Sequence, residues 1–120
     1  MNDKIFNQVY DYVTHGHFGA HQMAIPGTLA SADIVSNGIL KAVELEPGFA
    51  KDLEKIYSRF MHDDLGEWKY LEDKKLNEQR KAEGMKYEGS YIVDGLKQDF
   101  VLVEYNPATF LTTMCFDFER

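Results

Sequence analysis

Apolar side chains recur at helical spacing from the start of the chain. Ile5, Phe6, Val9 and Val13 fall on one face of a helix over Asp3–Val13, with Asn2 or Asp3 as its N-cap. The next stretch, THGHFGAHQ over residues 14–22, holds two glycines and three histidines and cannot continue that helix. His21–Ile25 reads as a short extended piece ending at Pro26-Gly27, since a following proline keeps Ile25 out of helical geometry. Thr28 is placed to cap a second helix carrying Leu29, Ala32, Ile34 and Val35, with Asn37-Gly38 as its stop. Ile39–Leu45 reads as helical because Ala, Leu, Lys and Glu outnumber its β-branched residues. Pro47 suits a first helical turn. After it Phe49, Leu53, Ile56, Tyr57, Phe60 and Met61 make the strongest amphipathic stripe in the chain. Gly66 breaks that pattern. Tyr70–Glu83 is a charged helix with only Tyr70, Leu71, Leu76 and Ala82 to bury, ended by Gly84.

From Tyr87 the period changes from helical to alternating. Tyr87–Val93, Asp99–Tyr105 and Thr109–Phe118 are three strand-like runs, with turns at Asp94-Gly95 and Asn106-Pro107. Phe110, Thr112, Met114, Phe116 and Phe118 fall on one sheet face, and Leu111, Thr113, Cys115 and Asp117 on the other. Helices first and strands last make the fold α+β. The expected architecture is N-terminal helices packed on a C-terminal three-stranded antiparallel meander, with room for one extra short strand, in a single domain over 1–120.

Composition narrows the classes. Thirteen Lys and Arg stand against 20 Asp and Glu, a formal charge of −7 over 120 residues. Phosphate contacts need clustered cations, so direct nucleic-acid binding is not expected. The helical middle, residues 44–84, is densely charged but nearly balanced, which describes a solvated face; the strand region is sparser and more one-sidedly acidic. The single cysteine, Cys115, rules out an intrachain disulfide and a thiolate zinc site. The opening MNDKIFNQ is unlike a signal peptide, and no apolar run approaches the ~20 residues of a membrane span, so a cytoplasmic protein with no membrane partner is expected.

Few residues point to chemistry. His15, His17 and His21 are spaced two and four apart, and imidazole is the commonest metal ligand. Positions 15 and 17 share a side in a strand, 17 and 21 in a helix; no one backbone aims all three. They are the weak metal candidates, and no bound metal or other cofactor is expected. His62-Asp63-Asp64 has the His-Asp pair that opens the metal sites of some phosphohydrolases, but it also fits a last helical turn, where the helix dipole favours a cation. Asn106-Pro107-Ala108-Thr109-Phe110 is one residue out of step with the Asn-Pro-Pro-aromatic loop of adenine methyltransferases. The chain has no glycine-rich loop after a strand to hold a methyl donor, so a turn explains the motif. Cys115 sits in an apolar run as a small core residue. Trp68, the sole tryptophan, suits a plug between helix and sheet or an anchor for a partner.

Three stretches resemble a family of small proteins, around a hundred residues long, carried by bacterial plasmids, phages and integrated elements. Gln22-Met23-Ala24-Ile25-Pro26-Gly27-Thr28-Leu29 is similar to its G-Q-hydrophobic-hydrophobic-A-T-P-G-A-L opening, with Ile25 at the usual Thr. His62-Asp63-Asp64-Leu65-Gly66-Glu67, then Asp73 and Asn77, resembles its H-x-x-G-D-W-G-E…D…N segment, with Leu65 at the Trp and Trp68 three residues on. Phe100–Phe116, with Thr112-Thr113 inside, is similar to its I-W-I-I-T-E-x-D-R-S-x-T-T-I-L-L-P ending, with Pro107-Ala108 where the acidic-Arg pair would stand. The resemblance covers roughly residues 20–118. Members are often labelled as a modification subunit of a type I restriction system, and the family brings no catalytic residue to carry over.

The resemblance, small size and acidic balance point to a non-catalytic mobile-element accessory that binds a host protein. Its concrete form is an inhibitor of a nucleic-acid-targeting defence, in the anti-CRISPR or anti-restriction manner. The expected binding residues are His62, Asp63, Asp64, Glu67 and Trp68, a titratable imidazole, three carboxylates and the only indole within seven residues after a helix end. The second reading is a small metal-dependent hydrolase or nuclease built on His62, Asp63 and Asp64.

Overall fold

The computed structural model describes residues 1–22, 25, 28, 32–93 and 99–120. In chain order these residues form α1 (Asp3–Thr14), β1 (Ala20–His21), β2 (Ile34–Ser36), α2 (Asn37–Leu45), α3 (Phe49–Met61), α4 (Leu71–Ala82), β3 (Tyr87–Tyr91), β4 (Val101–Asn106) and β5 (Leu111–Phe116). A 3-10 turn over Asp117–Glu119 follows. The class is α+β, as expected.

The sheet is larger than expected and not purely antiparallel. Five strands run in the order β1-β2-β5-β4-β3, and β2 lies parallel to β5, with Val35 opposite Met114. The three-stranded antiparallel meander is therefore corrected to a mixed five-stranded sheet. The error lies at residues 34–36. Ile34 and Val35 belong to a strand and Thr28, Ala32 and Asp33 are not helical, so the expected Thr28 helix is corrected at those positions; Leu29 lies outside the described residues. Asn37-Gly38 opens α2 rather than stopping a helix. The Ser36 side chain accepts from the Ile39 N–H as the N-cap. The Glu119 carboxylate accepts from the Gly38 N–H (2.8 Å) and the Ser36 hydroxyl (2.7 Å), so a negative charge from the far end of the chain sits at the start of α2. The Asp94-Gly95 turn lies outside the described residues, as do Met23 and Ala24 of the expected His21–Ile25 extended piece; Ala20–His21 is extended as β1.

One face of the sheet carries Val35, Tyr91, Val101, Val103, Met114 and Phe116, and α1, α2 and α3 bury their apolar stripes against it. Val9 and Val13 come from α1, Ile39, Ala42 and Val43 from α2, and Phe49, Leu53, Ile56 and Phe60 from α3. Phe116 packs against both Phe6 (5.9 Å, edge-on) and Phe49 (6.0 Å, stacked), joining two helices to the central strand. Alternation holds within β5, where Thr112, Met114 and Phe116 are buried. Phe110 lies outside it in the turn and points to solvent, and Phe118 belongs to the 3-10 turn.

The charged helix α4 departs from the apolar pattern. Tyr70, Leu71, Leu76 and Ala82 are all exposed, and the residue it buries is Asn77. Its attachment is polar: the Asn77 Oδ1 accepts from the Glu88 N–H of β3 at 2.9 Å. Cys115 lies on the sheet face away from the three helices, opposite Leu102, half-buried rather than in the core. Burial pushes its thiol up to about 12, away from the reactive thiolate form. No helix among the described residues is long and apolar enough to cross a membrane.

Candidate functional site

The segment from His62 to Trp68 begins as a helix stop. The Asp63 N–H donates to the Phe60 carbonyl (3.3 Å) and the Asp64 N–H to the Arg59 carbonyl (2.9 Å), with Asp63 left-handed at φ 66°. This is the double-bonded ending that glycine usually supplies. The end of α4 makes the same bonds around Gly84, at φ 72°. At α3 the side chains flanking the stop are joined by charge: the Arg59 Nε donates to the Asp64 Oδ2 at 2.6 Å.

The chain then runs along the outer edge of β3 and closes it. The Ser90 N–H donates to the Leu65 carbonyl (3.0 Å), the Glu67 N–H to the Ser90 carbonyl (2.6 Å) and the Ile92 N–H to the Glu67 Oε2 (3.3 Å). With Asn77 on the Glu88 N–H, the edge donors at residues 88, 90 and 92 are all satisfied. An open edge would invite pairing with another chain. Gly66 is required here. A Cβ at that position would lie 2.0 Å from the Ser90 carbonyl oxygen and 2.7 Å from the Tyr91 ring, at a backbone φ of 84°.

Electrostatics tie the segment together. Arg59 reaches Glu67 as well (2.9 Å), so one guanidinium holds two carboxylates. The hydrogen bond from Arg59 holds the Asp64 carboxyl below its ordinary range, helped by the Gly66 N–H at 2.9 Å. The Arg59 guanidinium is raised in turn. The Tyr91 hydroxyl donates to the Asp64 carbonyl (2.7 Å), and burial first, then the Asp64 charge, raises its pKa.

The five expected binding residues therefore have different surroundings. His62 is exposed, with its Nδ1 2.7 Å from the Ser58 carbonyl. Asp63 is 77% exposed and pairs with Lys81. Asp64 and Glu67 share Arg59 and hold the sheet edge while keeping part of their surface in solvent. Trp68 is half-buried, and its indole N–H donates to the Leu65 carbonyl (2.8 Å). His62, Asp63 and Asp64 engage three different partners and do not converge. The weak metal candidates do not meet either: His15 contacts the Asp11 carbonyl, His17 stacks on Tyr12 (4.1 Å) and His21 meets the Asn37 Oδ1 (2.7 Å). Among the described residues no three His, Cys, Asp or Glu side chains are grouped to hold a metal ion.

Sequence reasoning missed Arg59 and Tyr91, which make the segment what it is. The signal for Arg59 was its place five residues before Asp64 in the last turn of an amphipathic helix. Tyr91 gave none, and Asn77, singled out only through the resemblance, gave no sign of its bond to β3, because both roles depend on a packing between distant parts of the chain.

Beyond Trp68 the surface mixes aromatic, apolar and charged groups. Trp68, Tyr70, Phe100 and Leu102, with Ser90 and the charged Lys69, Asp73, Asp117 and Arg120, border a shallow recess of about 180 Å³ on the sheet face away from the three helices. Tyr70 and Leu71 are 57% and 60% exposed beside it. Comparison with known proteins gives no match to a family model, to a curated protein or to a solved structure.

Proposed function

We propose that this chain is a non-catalytic accessory of a mobile element that acts by binding a host protein, through His62, Asp63, Asp64, Glu67 and Trp68 and the exposed side chains that follow them. The observation that carries this reading is the pair of exposed large side chains, Tyr70 and Leu71, close to Trp68. Tyr70 and Leu71 stand in solvent beside a recess with an apolar floor at Phe100 and Leu102, and aromatic groups of this kind anchor protein interfaces. The resemblance over residues 20–118 supports the mobile-element setting. The concrete form is inhibition of a host defence that targets nucleic acid. A net charge of −7 supports it, because an acidic surface is steered toward the basic channels of such proteins.

The test is capture from a bacterial lysate by the tagged chain. The double variant Tyr70→Glu/Leu71→Glu changes only exposed side chains, so its Tm should stay within a few degrees while capture of the bound protein is lost. Undiminished capture by that variant and by Trp68→Ala would overturn the reading.

A further inference from the structure

A second recess adjoins the first through Asp117, which borders both. It holds about 430 Å³ and is lined by Phe6, Asn7, Tyr10, Asp99, Asp117 and Phe118. Three of these are aromatic rings set against one another: Phe118 lies 5.7 Å from Phe6, edge-on, and 5.1 Å from Tyr10, tilted. Phe6 and Tyr10 are one helical turn apart on α1, so the helix holds both rings at a fixed spacing. Tyr10 is 46% exposed, which leaves part of its ring for a ligand.

The acidic groups are equally fixed. Asp99 is only 7% exposed, and its oxygens accept from the Phe100 N–H (2.9 Å) and the Phe118 N–H (3.3 Å). The Asp117 N–H donates to the Phe100 carbonyl (2.9 Å), so the same strand end positions both carboxylates. Burial pushes the Asp99 carboxyl up to about 6, and the Asp117 charge adds to the rise. Among the described residues no lysine or arginine pairs with Asp99 or Asp117. Two anions beside three ring surfaces, with no cation of their own among those residues, are complementary to a flat cation. Guanidinium lays its plane on an aromatic face and forks onto carboxylates, whereas a compact ammonium can sit over a ring but has no planar fork to offer.

We propose that this recess receives an arginine side chain of the partner protein, its guanidinium lying against Tyr10 and Phe118 and donating to Asp117 and Asp99. The partner then presents arginine at its surface. The identity of the partner as a protein rests on the binding reading above. Recognition of guanidinium by the recess is tested apart from it.

The experiment is an NMR titration of the intact chain with N-acetylarginine amide, with N-acetylnorleucine amide as the uncharged control. The arginine probe should shift the amides of Phe6, Tyr10 and Phe118 saturably, at least about tenfold more tightly than the norleucine probe. Asp117→Asn and Tyr10→Ala change exposed or partly exposed groups, and each should weaken the arginine probe severalfold with the rest of the spectrum unchanged. Equal response to both probes, shifts elsewhere on the surface, or undiminished binding in both variants would overturn the proposal. Loss of lysate capture in the Tyr70→Glu/Leu71→Glu variant leaves this titration unaffected, so the two readings fail separately.

Discussion

Asp63 and Gly84 occupy the same place in the same helix ending, and only one of them is glycine. A non-glycine residue pays strain in left-handed geometry, and the exposed ion pair of Asp63 with Lys81 returns little. Asp63→Gly should therefore raise stability by about 0.5–1 kcal/mol in urea unfolding. A loss of stability would show that the Lys81 pair outweighs the backbone strain. Strain kept at an exposed residue is a pointer to use, and the same variant should bind the captured host protein less well. Two other carboxylates titrate in opposite senses. The folded pKa of Asp64 is lowered, so the stability it contributes is present above its ordinary value of 3.8 and lost as pH falls through its folded value. The folded pKa of Asp99 is raised to about 6, so its contribution is full below 3.8 and lost as pH rises through about 6. Carboxyl-carbon NMR should place the Asp99 midpoint near 6 and that of Asp64 below 3.8. Midpoints on the same side of 3.8 would contradict the burial of Asp99 or the Arg59–Asp64 bond.

The element that organises the core is α3, whose Leu53 and Phe60 are both almost fully buried. Leu53→Ala or Phe60→Ala should cost on the order of 2–5 kcal/mol in denaturant unfolding. A cost below about 1 kcal/mol for both would mean that the stripe does not face the core. The stripes of α1 and α3 and the alternation of β5 were legible in the sequence because one buried face imposes its period on the residues. The short strand β2 was not. Three residues are too few to show a period, and its parallel place beside β5 is set by contacts some 80 positions away. The exposure of Leu71 and Leu76 was hidden for a related reason: α4 is held by the Asn77 hydrogen bond to β3, and an apolar count cannot see such an anchor. In the candidate site, glycine at 66 and the helix stop near Asp63 could be read locally. That the segment seals the edge of β3 could not, since residues 88–92 carry no mark of what lies beside them.

At the scale of the molecule, one sheet separates two kinds of surface. Its inner face is the apolar core under α1, α2 and α3. Its outer face and the α1 border carry the recesses at Trp68 and Tyr10, which meet at Asp117. The Trp68 recess, which Ser90 of β3 helps to line, depends on the sheet keeping its outer strand in place. In this account the strand is kept there by the Arg59–Asp64–Glu67 cluster, so part of the segment expected to bind also positions the binding surface. Native-state amide hydrogen exchange in the Asp64→Ala/Glu67→Ala variant tests this most directly. Protection of the Ser90 and Ile92 amides should fall by about tenfold or more relative to the Val103 amide in the sheet interior. Protection at Ser90 and Ile92 that stays level with Val103, at an unchanged Tm, would contradict the account and leave both carboxylates with no structural task.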